Sequence, residues 1–451
     1  MKHFVALFFL TASLLCCQET PKSLLKEGIW RGTIEVQDQH TLPFNFSIER
    51  NDTGYLMEVY NAEETLSIDE ISFEKDSILI QMPVFEGYIA GHFKEDRMDG
   101  HFINKRLGRI APFHAFYGES TRFYKRSRVM YDQLLNARNR LLRNSSEQNP
   151  IIVNLDGQMK ALKKDMESGL KSKPNYDVSG IWETEFGKGT GDAYMAKGIF
   201  KQQGEKVTGT FRTITGDYRF LEGLVEGDSL KLSTMDGAHA FLFLARVTDS
   251  TLSGTFYSGK HFKAPFEAKR NERFELPDPE TLTFLKEGYE KLSFTFPDAA
   301  GNKISLDDPK YKDKVVIVQI MGTWCPNSLD ESKFLVEYIA NHPEQDLEVI
   351  ALAVEYATTE KEAIKGINRL KEGIGVPYPV LLAQYGSWDK KAANEKLPML
   401  NHILSYPTTI FIDKQGKVRK IHTAFNGPAT GEKYKEFSDD FDTFVKTLLA
   451  E

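Results

Sequence analysis

From Gly28 onward, short runs alternate apolar and polar residues, and turn sequences such as Asn51-Asp52-Thr53-Gly54 and Asp99-Gly100 separate them. Period-two alternation buries one face of each run, so the pattern predicts successive antiparallel strands. The plan then recurs. Gly28-Ile29-Trp30 is echoed by Gly180-Ile181-Trp182, Asp76-Ser77-Ile78 by Asp228-Ser229-Leu230, and Pro112-Phe113-His114-Ala115 by Pro265-Phe266-Glu267-Ala268. The offset stays near ~152 residues, which predicts a duplicated domain of roughly 95 residues. The copies are expected at 28–123 and 178–274, each an antiparallel meander curled into a small β-barrel or sandwich. Trp30 and Trp182 are expected as core plugs near the barrel base.

Between the copies the period changes. Val129, Met130, Leu134, Leu135, Leu141 and Leu142 fall among Arg126, Arg128, Arg138, Arg140 and Arg143, and Met159, Leu162, Met166 and Leu170 recur at helical spacing. This predicts a helical linker over 124–175, broken near Asn149-Pro150, with a solvated basic face. Glu275-Leu276-Pro277-Asp278-Pro279 reads as the linker into a last domain, 280–451. There, strand-like runs at 315–320, 349–354, 378–382, 409–412 and 418–421 alternate with helical patterns. That alternation, with a hairpin at Lys414-Gln415-Gly416, predicts a mixed sheet covered by helices on both faces. The expected fold is therefore multidomain: two small antiparallel β-domains followed by a C-terminal α/β domain.

The formal net charge of −7 offers no basic footprint for nucleic acid. Residues 1–17 carry a Lys2-His3 n-region and an apolar stretch too short to span a bilayer, ending at Leu14-Leu15-Cys16-Cys17. This resembles a bacterial lipobox, which implies lipidation at Cys17; a plain secretion signal is the alternative. Either implies export, and acyl chains would hold the protein on a membrane surface of the cell envelope. The chain has three cysteines, two of them at this processing site. Cys325 is then expected as the only free thiol of the mature protein. The ten histidines are scattered, no metal-ligand spacing stands out, and no cofactor is expected.

Cys325 stands where the 315–320 strand gives way to a helical pattern at Leu329, Phe334, Leu335, Tyr338 and Ile339. Unpaired N–H groups and the helix dipole at such a position favour thiolate, so a depressed thiol pKa is expected. Trp324-Cys325-Pro326-Asn327-Ser328 resembles the Trp-Cys-x-x-Cys site of thioredoxin-fold proteins, in particular the TlpA/ResA-type thiol–disulfide oxidoreductases of bacterial cell envelopes. Glu331 falls where that family carries an active-site acid, and Tyr406-Pro407-Thr408-Thr409-Ile410-Phe411-Ile412-Asp413 resembles its cis-proline loop and following strand.

The resemblance covers roughly 290–451 and implies a thioredoxin-like domain. It implies Cys325, Glu331 and Ser328 as catalytic residues, and Trp324, Pro326, Tyr406 and Pro407 as the substrate-binding surface. Ser328 replaces the family's second cysteine. A hydroxyl cannot form a disulfide, so Ser328 is expected instead to hydrogen-bond the Cys325 sulfur. Gln319 stands where cytosolic thioredoxins place a buried acid, which leaves proton transfer to Glu331 or water. The expected function is thiol–disulfide exchange on envelope protein thiols and disulfides, by a monothiol isomerase or mixed-disulfide reductase. The alternative is a redox-inactive scaffold binding a partner through its β-domains. A peroxidase reading is weaker, because Gly322 occupies the place where peroxiredoxins want threonine.

Overall fold

A computed structural model describes residues 25–52, 54–167, 174–343 and 346–451. The predicted leader with Cys17 lies outside the described residues. The first β-domain contains β1 (Gly28–Glu35), β2 (Thr41–Asn51), β3 (Gly54–Asn61), β4 (Glu64–Ile68), β5 (Ile71–Glu74), β6 (Ser77–Gln81), β7 (Tyr88–Lys94), β8 (Arg97–Asn104) and β9 (Arg109–Tyr117). They form one antiparallel sheet in the order β4-β3-β2-β1-β9-β8-β7-β6-β5, a barrel-like meander with its seam between β4 and β5. Alternation does the sorting: Leu42, Phe44, Phe46 and Ile48 of β2 all turn inward and are buried.

Helices α1 (Arg126–Leu142) and α2 (Pro150–Glu167) follow and pack on each other. The second β-domain has β10 (Gly180–Phe186), β11 (Tyr194–Gln203), β12 (Lys206–Thr213), β13 (Gly216–Asp217), β14 (Leu221–Glu226), β15 (Ser229–Met235), β16 (Ala240–Val247), β17 (Thr251–Ser258) and β18 (Phe262–Arg270). Its strands run in the same order as those of the first, and pairing of β11 with β12 closes a ring. Trp30 and Trp182 are both fully buried. Each donates its indole N–H to the carbonyl four residues back, Trp30 to Lys26 at 3.0 Å and Trp182 to Val178 at 2.8 Å.

The C-terminal domain opens with a hairpin of β19 (Thr295–Pro297) and β20 (Lys303–Ser305). Then come β21 (Val315–Met321), α3 (Pro326–Asn341), β22 (Leu347–Val354), α4 (Glu360–Ile374), β23 (Val380–Gln384), α5 (Lys390–Glu395), β24 (Thr408–Ile412), β25 (Val418–Thr423) and α6 (Glu432–Ala450). The sheet order is β23-β22-β21-β24-β25. β21 pairs parallel with β22 and antiparallel with β24, the mixed sheet expected. On β21 the alternation splits the core: Val315, Ile317 and Met321 face one apolar cluster, and Val316, Val318 and Ile320 the other.

The three domains share buried contacts. The first of those clusters also takes in the interior of the first β-domain and Met235, Ala240, Leu242 and Tyr257 of the second. Between the β-domains, Arg122 donates to Ser233 Oγ at 2.9 Å, to the Tyr60 carbonyl at 2.8 Å and to Asn61 Oδ1 at 3.1 Å. Burial pushes its pKa down to about 10.

Candidate active site

The central strand delivers the cysteine. β21 ends at Met321, and Gly322 to Trp324 turn the chain so that Cys325 caps α3 with extended backbone angles. Pro326 is the first helical residue, where its missing N–H costs nothing. Thr323 is held from below: its N–H and its hydroxyl each donate to Glu355 at 2.8 Å. Trp324 donates its indole N–H to the Val354 carbonyl at 2.9 Å. The motif is thus tied to the end of β22 before any substrate arrives.

The distant loop named from sequence does meet the cysteine. The Tyr406–Pro407 peptide bond is cis, and the Tyr406 carbonyl accepts from Cys325 Sγ at 3.3 Å. The Ser328 hydroxyl reaches the sulfur, as do the backbone N–H groups of Ser328 and Asn327. These bonds favour thiolate. Burial nevertheless outweighs them, and with a smaller contribution from the Asp330 charge it pushes the Cys325 pKa up. The depressed pKa expected from the helix N-terminus is therefore corrected: the helix supplies its donors, but Cys325 is half-buried and its desolvation outweighs them.

Glu331 lies under the motif, not on the helix surface. It is 1% exposed and accepts from Gln319 Nε2 at 2.8 Å and from Thr409 Oγ1 at 2.7 Å. Burial raises its pKa to about 7. Glu355 is raised to about 7 for the same reason. Gln319 also bonds the Ser328 carbonyl and the Ser332 hydroxyl, which links Glu331 to the α3 start. No hydrogen bond joins Glu331 to Cys325 among the described residues.

Sequence reasoning missed the cover over this site. The segment from Thr213 to Arg219, around β13, lies on the Cys325 turn. Ser405 donates to the Thr215 carbonyl at 2.7 Å, and Asn327 donates to the Asp217 carbonyl at 3.3 Å. The Gly427 N–H donates to Asp217 Oδ2 at 2.8 Å. Arg219 donates to the Pro326 carbonyl at 3.2 Å and forms short ion pairs with Asp330 and, in the first β-domain, Glu64. One buried guanidinium therefore touches all three domains. Desolvation and the nearby Asp330 charge raise the pKa of half-buried Asp217 to about 6. Tyr356 and Trp388 were missed as well; with Trp324 and Tyr406 they form an aromatic cluster with centroids 5.4–5.8 Å apart.

Residues 288–421 match the AhpC/TSA family. The chain is 25% identical over 138 residues to the thioredoxin-like protein YneN of Bacillus subtilis, covering 31% of this chain and 72% of that one. It is 27% identical over 150 residues to the thiol-disulfide oxidoreductase ResA of Bacillus thuringiensis subsp. konkukian, covering 33% of this chain and 75% of that one. The C-terminal domain is thioredoxin-like. A thiol:disulfide interchange protein of the thioredoxin family from Chlorobium tepidum also superposes, with TM-score 0.28 and 20% identity over 36% of this chain and 98% of that one.

Proposed function

We propose that this chain carries out thiol–disulfide exchange through Cys325, as an exported, lipid-anchored protein of the cell envelope. The observation that carries the reading is the convergence of Cys325 Sγ, the Ser328 hydroxyl and the Tyr406 carbonyl at the start of α3. Likeness to thiol–disulfide oxidoreductases supports it. Among the described residues, no helix is long and apolar enough to cross a membrane, so the anchor in this reading is the acyl group on Cys17.

The chemistry follows from Ser328. The Cys325 thiolate attacks a substrate disulfide; its S–S bond breaks and a thiolate leaves. Among the described residues, the mixed disulfide on Cys325 has no neighbouring thiol to resolve it. An external thiolate attacks it, the new substrate disulfide departs, and Cys325 is returned as thiolate. There is no net oxidation, which is the balance sheet of an isomerase or mixed-disulfide reductase. Glu331, titrating at about 7, is the group beneath the motif able to hold or release a proton at neutral pH. In the same reading the two β-domains descend from one duplicated unit; their shared strand order and matching tryptophan bonds support this.

The test is intact-mass detection of a mixed disulfide after incubation with oxidised substrate. Wild type should retain one adduct and Cys325→Ala none. Ser328→Cys should discharge the adduct into an internal disulfide. Equal labelling of wild type and Cys325→Ala would overturn the reading. A redox-inactive scaffold is favoured by one observation, the raised pKa of the covered thiol. An alkylation profile separates the two: exchange requires a condition in which the sulfur is exposed and reacts with a pKa near or below ~8.5, that of a free thiol.

A further inference from the structure

The aromatic cluster beside Cys325 is the floor of a cavity of about 270 Å³ that all three domains enclose. Trp324, Tyr356, Trp388 and Tyr406 line it from the C-terminal domain, Arg109 from the first β-domain and His239 from the second. Arg109 and His239 also line a neighbouring cavity of about 370 Å³ that runs between the β-domains. His239 further lines the space of about 240 Å³ into which Cys325 itself opens. His239 lines all three cavities, which places them side by side around it.

Charge along that route is unbalanced. Glu86 is paired with Arg106 at 2.7 Å, and His239 stands 3.1 Å from Asp236. Half-buried Arg109 and exposed Lys390, which both line the cavity, have no carboxylate at ion-pair distance among the described residues. The Lys390 ammonium donates only to the Leu404 carbonyl. Arg109, half-buried in this cavity without an acidic partner, loses hydration that an anionic ligand would replace, and Lys390 adds a second positive charge at the same cavity. Cavities of this size suit small molecules, and the Thr213–Arg219 segment lies where a loop of a folded protein would have to approach.

We propose that the cleft binds one half of a low-molecular-weight disulfide bearing carboxylates, each half of amino-acid to tripeptide size. Arg109 and Lys390 take its carboxylates, and the aromatic floor takes its apolar stem. This deepens the exchange reading and rests on it. The Cys325 thiolate breaks the small disulfide, one half leaves as thiolate and the other stays on Cys325. A low-molecular-weight thiol then removes it, regenerating Cys325.

The test measures adduct formation on the full chain, by intact mass, with three disulfides: glutathione disulfide (anionic), bis(2-hydroxyethyl) disulfide (neutral) and cystamine (cationic). Wild type should react at least about tenfold faster with the anionic probe than with the cationic one, and the gap should narrow with added salt. Arg109→Gln with Lys390→Gln should shrink that ratio at least fivefold, whereas Arg109→Lys should keep most of it. Because the readout is a ratio within one preparation, partial misfolding does not mimic the result. Reaction with the neutral probe without any charge preference would overturn this inference and leave exchange standing. No adduct with any probe would overturn both.

Discussion

Glu331 shows how burial changes what a residue is for. On the surface it would complement the helix dipole. Buried between Gln319 and Thr409, it titrates at about 7 where an exposed glutamate titrates near 4.5. Between those values the native protein keeps a proton that the unfolded chain has lost. Stability therefore falls as pH rises from about 4.5 to 7, by about 3 kcal/mol for one such group. Glu331→Gln should flatten that slope in urea titrations across the range; Glu355, raised by the same cause, retains its own share. An unchanged slope would contradict the assignment. Cys325, Ser328 and Glu331 were legible because a strand-to-helix turn brings sequence neighbours together. Glu355 left a fainter signal, a lone carboxylate directly after the apolar run of β22. The Cys325 pKa departs from expectation because burial, which no local pattern displays, outweighs the local hydrogen-bond donors.

At the scale of elements, β21 and α3 build the site and the β12–β13 segment covers it. The helix, the strand and the Tyr406–Pro407 loop could be placed from local pattern. The cover could not, since Thr213 to Arg219 reads as an ordinary turn between strands and nothing local says what it rests on. Gly216 is where the fit is closest. Its φ is +136°, and a Cβ there would stand 1.8 Å from Asn327 Nδ2. Gly216→Ala should lift the segment from the Cys325 turn. Alkylation of Cys325 at neutral pH should then rise about tenfold, equivalent to about 1.4 kcal/mol of easier opening. Unaltered reactivity would mean that this segment does not control access to the sulfur.

At the scale of the molecule, the second β-domain and the thioredoxin-like domain meet beside Cys325, and the first β-domain joins them through one buried arginine. Arg219 is the tie, paired with Glu64 in one domain and Asp330 in another. Removing one partner of a buried ion network leaves charge uncompensated and costs about 3–5 kcal/mol. Arg219→Gln should lower the melting temperature and speed Cys325 alkylation together. Combining it with Asp330→Asn should cost less than the sum of the two, because the residues share one network. Additive losses would show that the bridge is incidental. The strand alternation and the mixed sheet were legible in the sequence, because each is periodic. The meeting of three domains at Arg219 is set by packing between distant surfaces, and no periodicity encodes it.

The most direct test of the central claim is multiple turnover. A fluorescent mixed disulfide is mixed with excess thiol and a trace of the protein, and product is counted per chain. Many exchanges per wild-type chain and none above background for Cys325→Ala is the expected result. A single stoichiometric labelling of Cys325, with no further product, would contradict catalysis by exchange.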